Sequence, residues 1–117
     1  MFKVINWRAY FKVNSKDKAL KILKRFDSVI GSKIELTSCE PYWKDESLYE
    51  VNFVSKLGST DIKDAIFNAL IHSQRIGHQC RVTGPQSYEG DKWSFEGIIP
   101  KTSIVGVEWV IFSISNL

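Results

Sequence analysis

The sequence predicts an α+β domain in which two amphipathic helices lie among six segments of strand character. Three observations lead there. Residues 3–13 alternate between apolar and polar side chains, the period of a half-buried strand. Residues 16–30 and 60–76 repeat their apolar side chains at the spacing of a helix lying on a core. Residues 80–115 return to short strand-like runs broken by glycine and proline.

In the first strand Trp7, Ala9, Phe11 and Val13 fall on one side, and Arg8, Tyr10 and Lys12 on the other. Asn14 and Ser15 then offer side-chain oxygens that can cap a helix. Across 16–30 the residues Ala19, Ile22, Leu23, Phe26, Val29 and Ile30 form one stripe, with Lys18, Lys21, Lys24 and Arg25 off it. Gly31 suits the left-handed C-terminal cap. Segments 33–39 and 48–57 read as a hairpin whose loop, Glu40 to Ser47, carries Tyr42 and Trp43. Gly58-Ser59-Thr60-Asp61 punctuates the chain and supplies cap residues for the second helix. That helix is expected to pack through Ile66, Leu70 and Ile76 and to end at Gly77, and its small residues Ala65, Ala69 and Ser73 allow close approach to a sheet. Residues 80–83 begin the next strand, 84–91 read as a turn-rich loop, and 92–99 and 104–115 complete the set. The last segment is apolar on both faces, as in an internal strand or one with a covered second face.

The order β-α-β-β-α-β-β-β opens as a ferredoxin-like split βαβ plan. Such a plan sets both helices on one face of a mainly antiparallel sheet, here extended by one or two C-terminal strands. A single domain, 1–117, is expected, since the chain has 117 residues and no linker, repeat or low-complexity stretch. At 44% hydrophobic and 25% charged it can bury a core, which excludes intrinsic disorder. No apolar run approaches the roughly 18–20 residues of a membrane-spanning helix. No long apolar stretch follows Lys3, so no signal peptide and a cytoplasmic location are expected. Cys39 and Cys80 are too few for a disulfide scaffold and too far apart for a zinc site, so they read as reduced, partly buried thiols.

The formal net charge of +3 conceals an uneven distribution. Residues 1–34 hold nine basic and two acidic residues, 9 − 2 = +7, and the remainder holds seven and 11, 7 − 11 = −4. A chain so divided can present a basic and an acidic face to different partners.

No catalytic motif stands out, and no enzyme, cofactor or metal site is expected. His72 and His78 are six positions apart and do not share a helix face as a metal pair would. Glu89, Asp91 and Glu96 are the carboxylates closest to an acid–base arrangement, yet they lie in turn-rich sequence and read as solvated. A nucleic-acid reading rests on the lysine-rich first helix and on sheet aromatics, with Tyr10 on the first strand and Tyr49 or Phe53 on the third. Against it, Leu48 to Val54 lacks the basic, glycine-containing pattern of RNA-recognition motifs and places Glu50 where a basic residue is wanted.

The better-supported reading is a protein-binding module. Tyr42 and Trp43 sit beside Glu40, Asp45 and Glu46, and Tyr88 beside Glu89 and Asp91. Aromatic side chains supply anchor area and neighbouring carboxylates steer a basic partner. The candidate contact set is therefore Tyr42, Trp43, Asp45, Glu46, Tyr88, Glu89 and Asp91. These acidic aromatic loops occur with a tail of the form Trp93-Ser94-Phe95-Glu96-Gly97 and Gly106-Val107-Glu108-Trp109-Val110-Ile111-Phe112. In that combination the chain resembles the immunity proteins of bacterial polymorphic toxin systems, including the contact-dependent inhibition and colicin types. The resemblance covers the whole chain in style and rests on no diagnostic motif. It implies a dedicated antitoxin that binds and occludes a cognate toxin domain, often a nuclease, with no membrane partner. Immunity proteins against basic nucleases are commonly acidic, whereas this chain is net positive, so a local acidic patch from 40–50 and 89–96 would have to serve.

Overall fold

The computed structural model describes residues 1–117. Its elements in chain order are β1 (Phe2–Phe11), α1 (Lys16–Ile30), β2 (Ile34–Pro41), β3 (Tyr49–Ser59), α2 (Ile62–Ile76), β4 (Gly77–His78), β5 (Arg81–Tyr88), β6 (Lys92–Ile99), β7 (Lys101–Thr102) and β8 (Val107–Ser115). Six strands form one antiparallel sheet in the order β2-β3-β1-β8-β6-β5, and the two-residue strands β4 and β7 pair separately. The fold is thus α+β with a mainly antiparallel sheet. No helix is long and apolar enough to cross a membrane.

Local chemistry accounts for both helices. The Ser15 side chain accepts from the Lys18 backbone N–H, and Gly31, at φ 73°, closes α1 with its N–H on the Asp27 carbonyl. Asp61 caps α2 by accepting from the Asp64 N–H. The Arg75 guanidinium reaches from α2 to the Ile30 carbonyl at 2.6 Å, satisfying an end-of-helix acceptor on α1. Phe26 on α1 lies against Phe11 and Phe53, with ring centroids 5.7 and 5.2 Å away. On α2 the stripe that meets the sheet is Ala65, Ala69, Ser73 and Ile76. Ile66 and Leu70, expected as core contacts, are only half-buried, because the small residues let α2 sit close over the strands.

Both helices cover the face built by Ile5, Trp7, Ala9 and Phe11 of β1, Val51 and Phe53 of β3, Phe95 and Ile99 of β6, and Val110, Phe112 and Ile114 of β8. The Trp7 indole N–H is satisfied within this core by the Ser55 hydroxyl at 2.9 Å. A Cβ on Gly97 would lie 2.5 Å from the Phe112 ring, so the glycine leaves room for that ring.

Two features differ from the sequence-based expectation. The stretch 84–91 is mostly strand: β5 runs to Tyr88, and only Glu89 to Asp91 turn. Gly84, at φ 98°, and Pro85 form a bulge between the Thr83–Glu96 and Gln86–Ser94 pairs, which is why turn-type residues occur inside an extended element. A ferredoxin-like plan sets the strand after the second helix beside the first strand, but the first long strand after α2, β5, does not pair with β1. That place belongs to β8, whose Val110, Phe112 and Ile114 are buried, while β5, exposed along its whole length, takes the edge.

Candidate functional site: the uncovered sheet face

Strand alternation that sends Trp7, Ala9 and Phe11 into the core sends Asn6, Arg8 and Tyr10 to the other face, where no helix lies. Strand register arranges that face in rows. One reads Glu40–Glu50–Tyr10–Trp109 and the next Ser38–Asn52–Arg8–Ile111–Ile98–Arg81. Side chains in a row are direct cross-strand neighbours.

The first row ends in an aromatic corner. Tyr10 stacks on Trp109 with centroids 4.4 Å apart and meets Tyr42 edge-on at 4.8 Å. Those rings leave Tyr10 only 4% exposed on an otherwise open face. Its phenol donates to Glu50 Oε2 at 3.1 Å. Burial, followed by the Glu50 carboxylate, pushes the phenol up to about 12. Glu40 faces Glu50 directly across β2 and β3. Like charges in that position disfavour the free sheet.

Trp43 stands on this base, 81% exposed, with Lys44 Nζ 5.0 Å from its ring centroid and Tyr42 6.3 Å away. Its loop is held by backbone bonds from Tyr42 to Leu48, Leu48 to Asp45 and Asp45 to Tyr42, and Leu48 is buried. Asp45 accepts from the Ser47 N–H at 3.0 Å and hydroxyl at 2.7 Å, and these bonds hold its carboxyl below the usual range. Glu46 lines a separate hollow of about 360 Å3 with Lys12 and Lys18, so its charge is set against two lysines.

In the second row Asn52 donates to Ser38 at 2.9 Å and accepts from Arg8 Nε at 3.2 Å. This relay fixes the guanidinium beside a shallow depression of about 200 Å3 that Glu96 and Ile111 also line.

The seven residues expected to bind a partner do not form one patch. Tyr42, Trp43, Asp45 and Glu46 occupy the loop at the sheet end where Phe11 pairs with Tyr49 and Val107. Tyr88, Glu89 and Asp91 lie at the β5–β6 turn, beyond the Ser94–Ser115 pair, at the other end and the other edge. Five interstrand spacings separate the two edges, about 24 Å at ~4.8 Å each. Tyr88 nonetheless faces the same way as Tyr10, with its hydroxyl 3.1 Å from Gln86 Oε1 and 3.2 Å from Ser94 Oγ. The two groups thus bracket one open face along its diagonal.

Sequence reasoning did not join Tyr10, Trp109 and Glu50 to the site, although apolar residues on both sides of β8 were a signal. Tyr49 and Phe53, offered as stacking residues, both turn to the helix side. Glu89, Asp91 and Glu96 are all exposed and divided between turn and strand. Cys39, on β2, and Cys80, before β5, are half-buried, and burial pushes both thiols up. The chain matches no protein-family model, and comparison with curated proteins and with solved structures finds no match.

Proposed function

We propose that this protein is an immunity protein: it binds a cognate toxin domain through the open sheet face and occludes it without performing chemistry. The observation that carries this reading is the aromatic corner, where an exposed tryptophan rests on a braced stack next to two facing carboxylates. Desolvated aromatic anchors dominate interface energies, and a ring already held in place loses little entropy on binding. Glu40 and Glu50 repel one another in the free protein, and a lysine or arginine of a basic toxin inserted beside them relieves that cost. The acidity needed at a net-positive protein then comes from Glu40, Glu50 and Glu96 of the open face, while Lys21, Lys24 and Arg25 lie on the helix layer. In fold terms we read β2-β3-β1-β8 with α1 and α2 as a ferredoxin-like unit, extended at one edge by β6 and β5.

A second reading, nucleic-acid binding, draws support from Lys18, Lys21, Lys24 and Arg25, all exposed on α1. The sheet side does not favour it: Tyr10 is covered by Trp109 and Tyr42, and Glu40, Glu50 and Glu96 share that face.

Co-expression with toxin domains encoded beside the gene, scored by cell survival and by co-purification, tests the main reading. Trp43→Ala with Asp45→Lys and Glu46→Lys should weaken protection and leave the fold intact, with only the small loss of stability that follows from removing the Asp45–Ser47 bonds. Full protection by that variant would move the contact surface elsewhere. Failure of the parent chain to bind or protect against any linked toxin would end the immunity reading.

A further inference from the structure

The sheet has a second feature that the aromatic corner does not use. β2 is an edge strand, so the outer side of its backbone carries donors and acceptors with no strand to pair with. Beside it, between α1 and β2, runs a cleft of about 320 Å3 lined by Leu20, Leu23, Ile34 and Leu36, with Lys24 and Asp27 on its rim. Leu36 is 42% exposed there. The apolar cleft therefore lies on the helix side of the edge. On the other side of the same strand stand Glu35 and Glu40. Glu35 shares a hollow with Lys33 and Lys56, which leaves the excess acidic charge at Glu40, opposite Glu50.

We propose that β2 accepts an extended segment of a partner protein as a seventh strand of the sheet, one that alternates apolar residues with basic ones. Backbone pairing along 34–40 supplies the affinity common to strand addition, and alternate side chains are sorted between the two faces. Apolar residues of the added strand enter the cleft against Leu20, Leu23 and Leu36. Basic residues fall on the opposite face, where one lies beside Glu40 as its direct cross-strand neighbour. Pro41 ends the usable edge, since it has no N–H. Both edges carry a register shift, β2 between Leu36 and Ser38 and β5 at Gly84–Pro85, but β5 is the poorer template because Pro85 also removes a backbone donor from the middle of the strand. A second copy of this chain is the wrong occupant. Antiparallel two-fold pairing through β2 would set Glu35 and Glu40 of one strand among those of its copy on the open face, like charge against like charge. The edge backbone and the cleft are particular to this inference, Glu40 is shared with the aromatic corner, and the inference holds whether or not the partner is a toxin.

A synthetic peptide of alternating valine and lysine, about as long as β2, serves as the probe, with a valine–glutamate peptide as its control. Backbone amide shifts and hydrogen exchange locate the contact on the full chain. The valine–lysine peptide should shift and protect amides within 34–40, and added salt should weaken it. Leu36→Asp and Glu40→Lys, both at exposed positions, should each reduce its affinity about tenfold. Circular dichroism and thermal melting of both variants distinguish lost docking from lost folding. No shift in 34–40 at millimolar peptide overturns the proposal. So does equal or tighter binding of the valine–glutamate peptide, protection along 81–88 instead, or a concentration-dependent dimer of the free chain with 34–40 protected.

Discussion

Glu40→Lys should make the free protein more stable and a worse binder. Cross-strand neighbours have Cβ atoms about 5 Å apart, so two carboxylates facing each other on an open sheet sit at roughly 6 Å. At that distance, with an effective dielectric of ~60–80, Coulomb repulsion amounts to about 0.7–0.9 kcal/mol. Neutralising it in Glu40→Gln recovers that amount at low salt. Reversing the sign in Glu40→Lys adds an attraction of similar size, offset in part by ordering the lysine side chain. The expected gain is about 1 kcal/mol, or a rise of some 4 °C in melting temperature for a domain of this length. Raising salt well above physiological strength should remove most of it. Urea titration with tryptophan fluorescence measures the effect and needs no partner. The same substitution should weaken binding of the cognate toxin about tenfold or more, since it puts a positive charge where the partner's cation would sit. The reasoning fails if Glu40→Lys is neutral or destabilising at low salt, or if it raises stability and leaves toxin affinity intact.

Four further outcomes check other parts of the structure. Tyr10→Ala should cost about 2–4 kcal/mol, toward the lower range for deleting a large aromatic because the space opens to solvent. Tyr10→Phe should keep the stack and reduce the decline in stability expected of the parent above pH 10. Above that pH the unfolded tyrosine ionises while the folded phenol, pushed up to about 12, retains its proton, so stability falls as pH rises. His72 has a buried Nδ1 without a hydrogen-bond partner, and its pKa is lowered by burial and by Arg75. The unfolded state therefore binds the proton more readily: stability falls as pH drops through ~6.5, and His72→Gln should flatten that step in denaturant midpoints measured from pH 8 to 5. Lys21→Glu with Arg25→Glu should leave toxin protection unchanged, and binding of the parent to single-stranded RNA should stay weaker than micromolar at physiological salt. Tighter, salt-steep binding lost in that variant would favour the nucleic-acid reading.

Much of this molecule is written in local pattern. Ser15, Asp61 and Gly31 mark helix ends because caps are short-range hydrogen-bond chemistry, and the stripes of α1 and α2 declare which side of each helix is buried. Alternation in β1 likewise assigns Trp7 and Phe11 to one face and Arg8 and Tyr10 to the other. What local pattern does not carry is adjacency between distant strands. The period of a strand is the same whichever neighbour it pairs with, so nothing near residues 107–115 says that β8, rather than the strand following α2, lies against β1. That single choice completes the site: it sets Trp109 on Tyr10, against which the β2–β3–β1 pairing already holds Tyr42, and places the candidate loops at opposite corners of one face. The bulged edge at β5 is a separate matter. Gly84 and Pro85 read as turn residues in isolation, but the hairpin ladder with β6 keeps the chain extended through them. The sequence by itself determined both helices, the longer strands apart from the course of β5 through 84–88, and the charge on each. The tertiary structure alone decided which side chains meet, because cross-strand contacts depend on register between segments far apart in the chain, as Asn6 and Ser113 are.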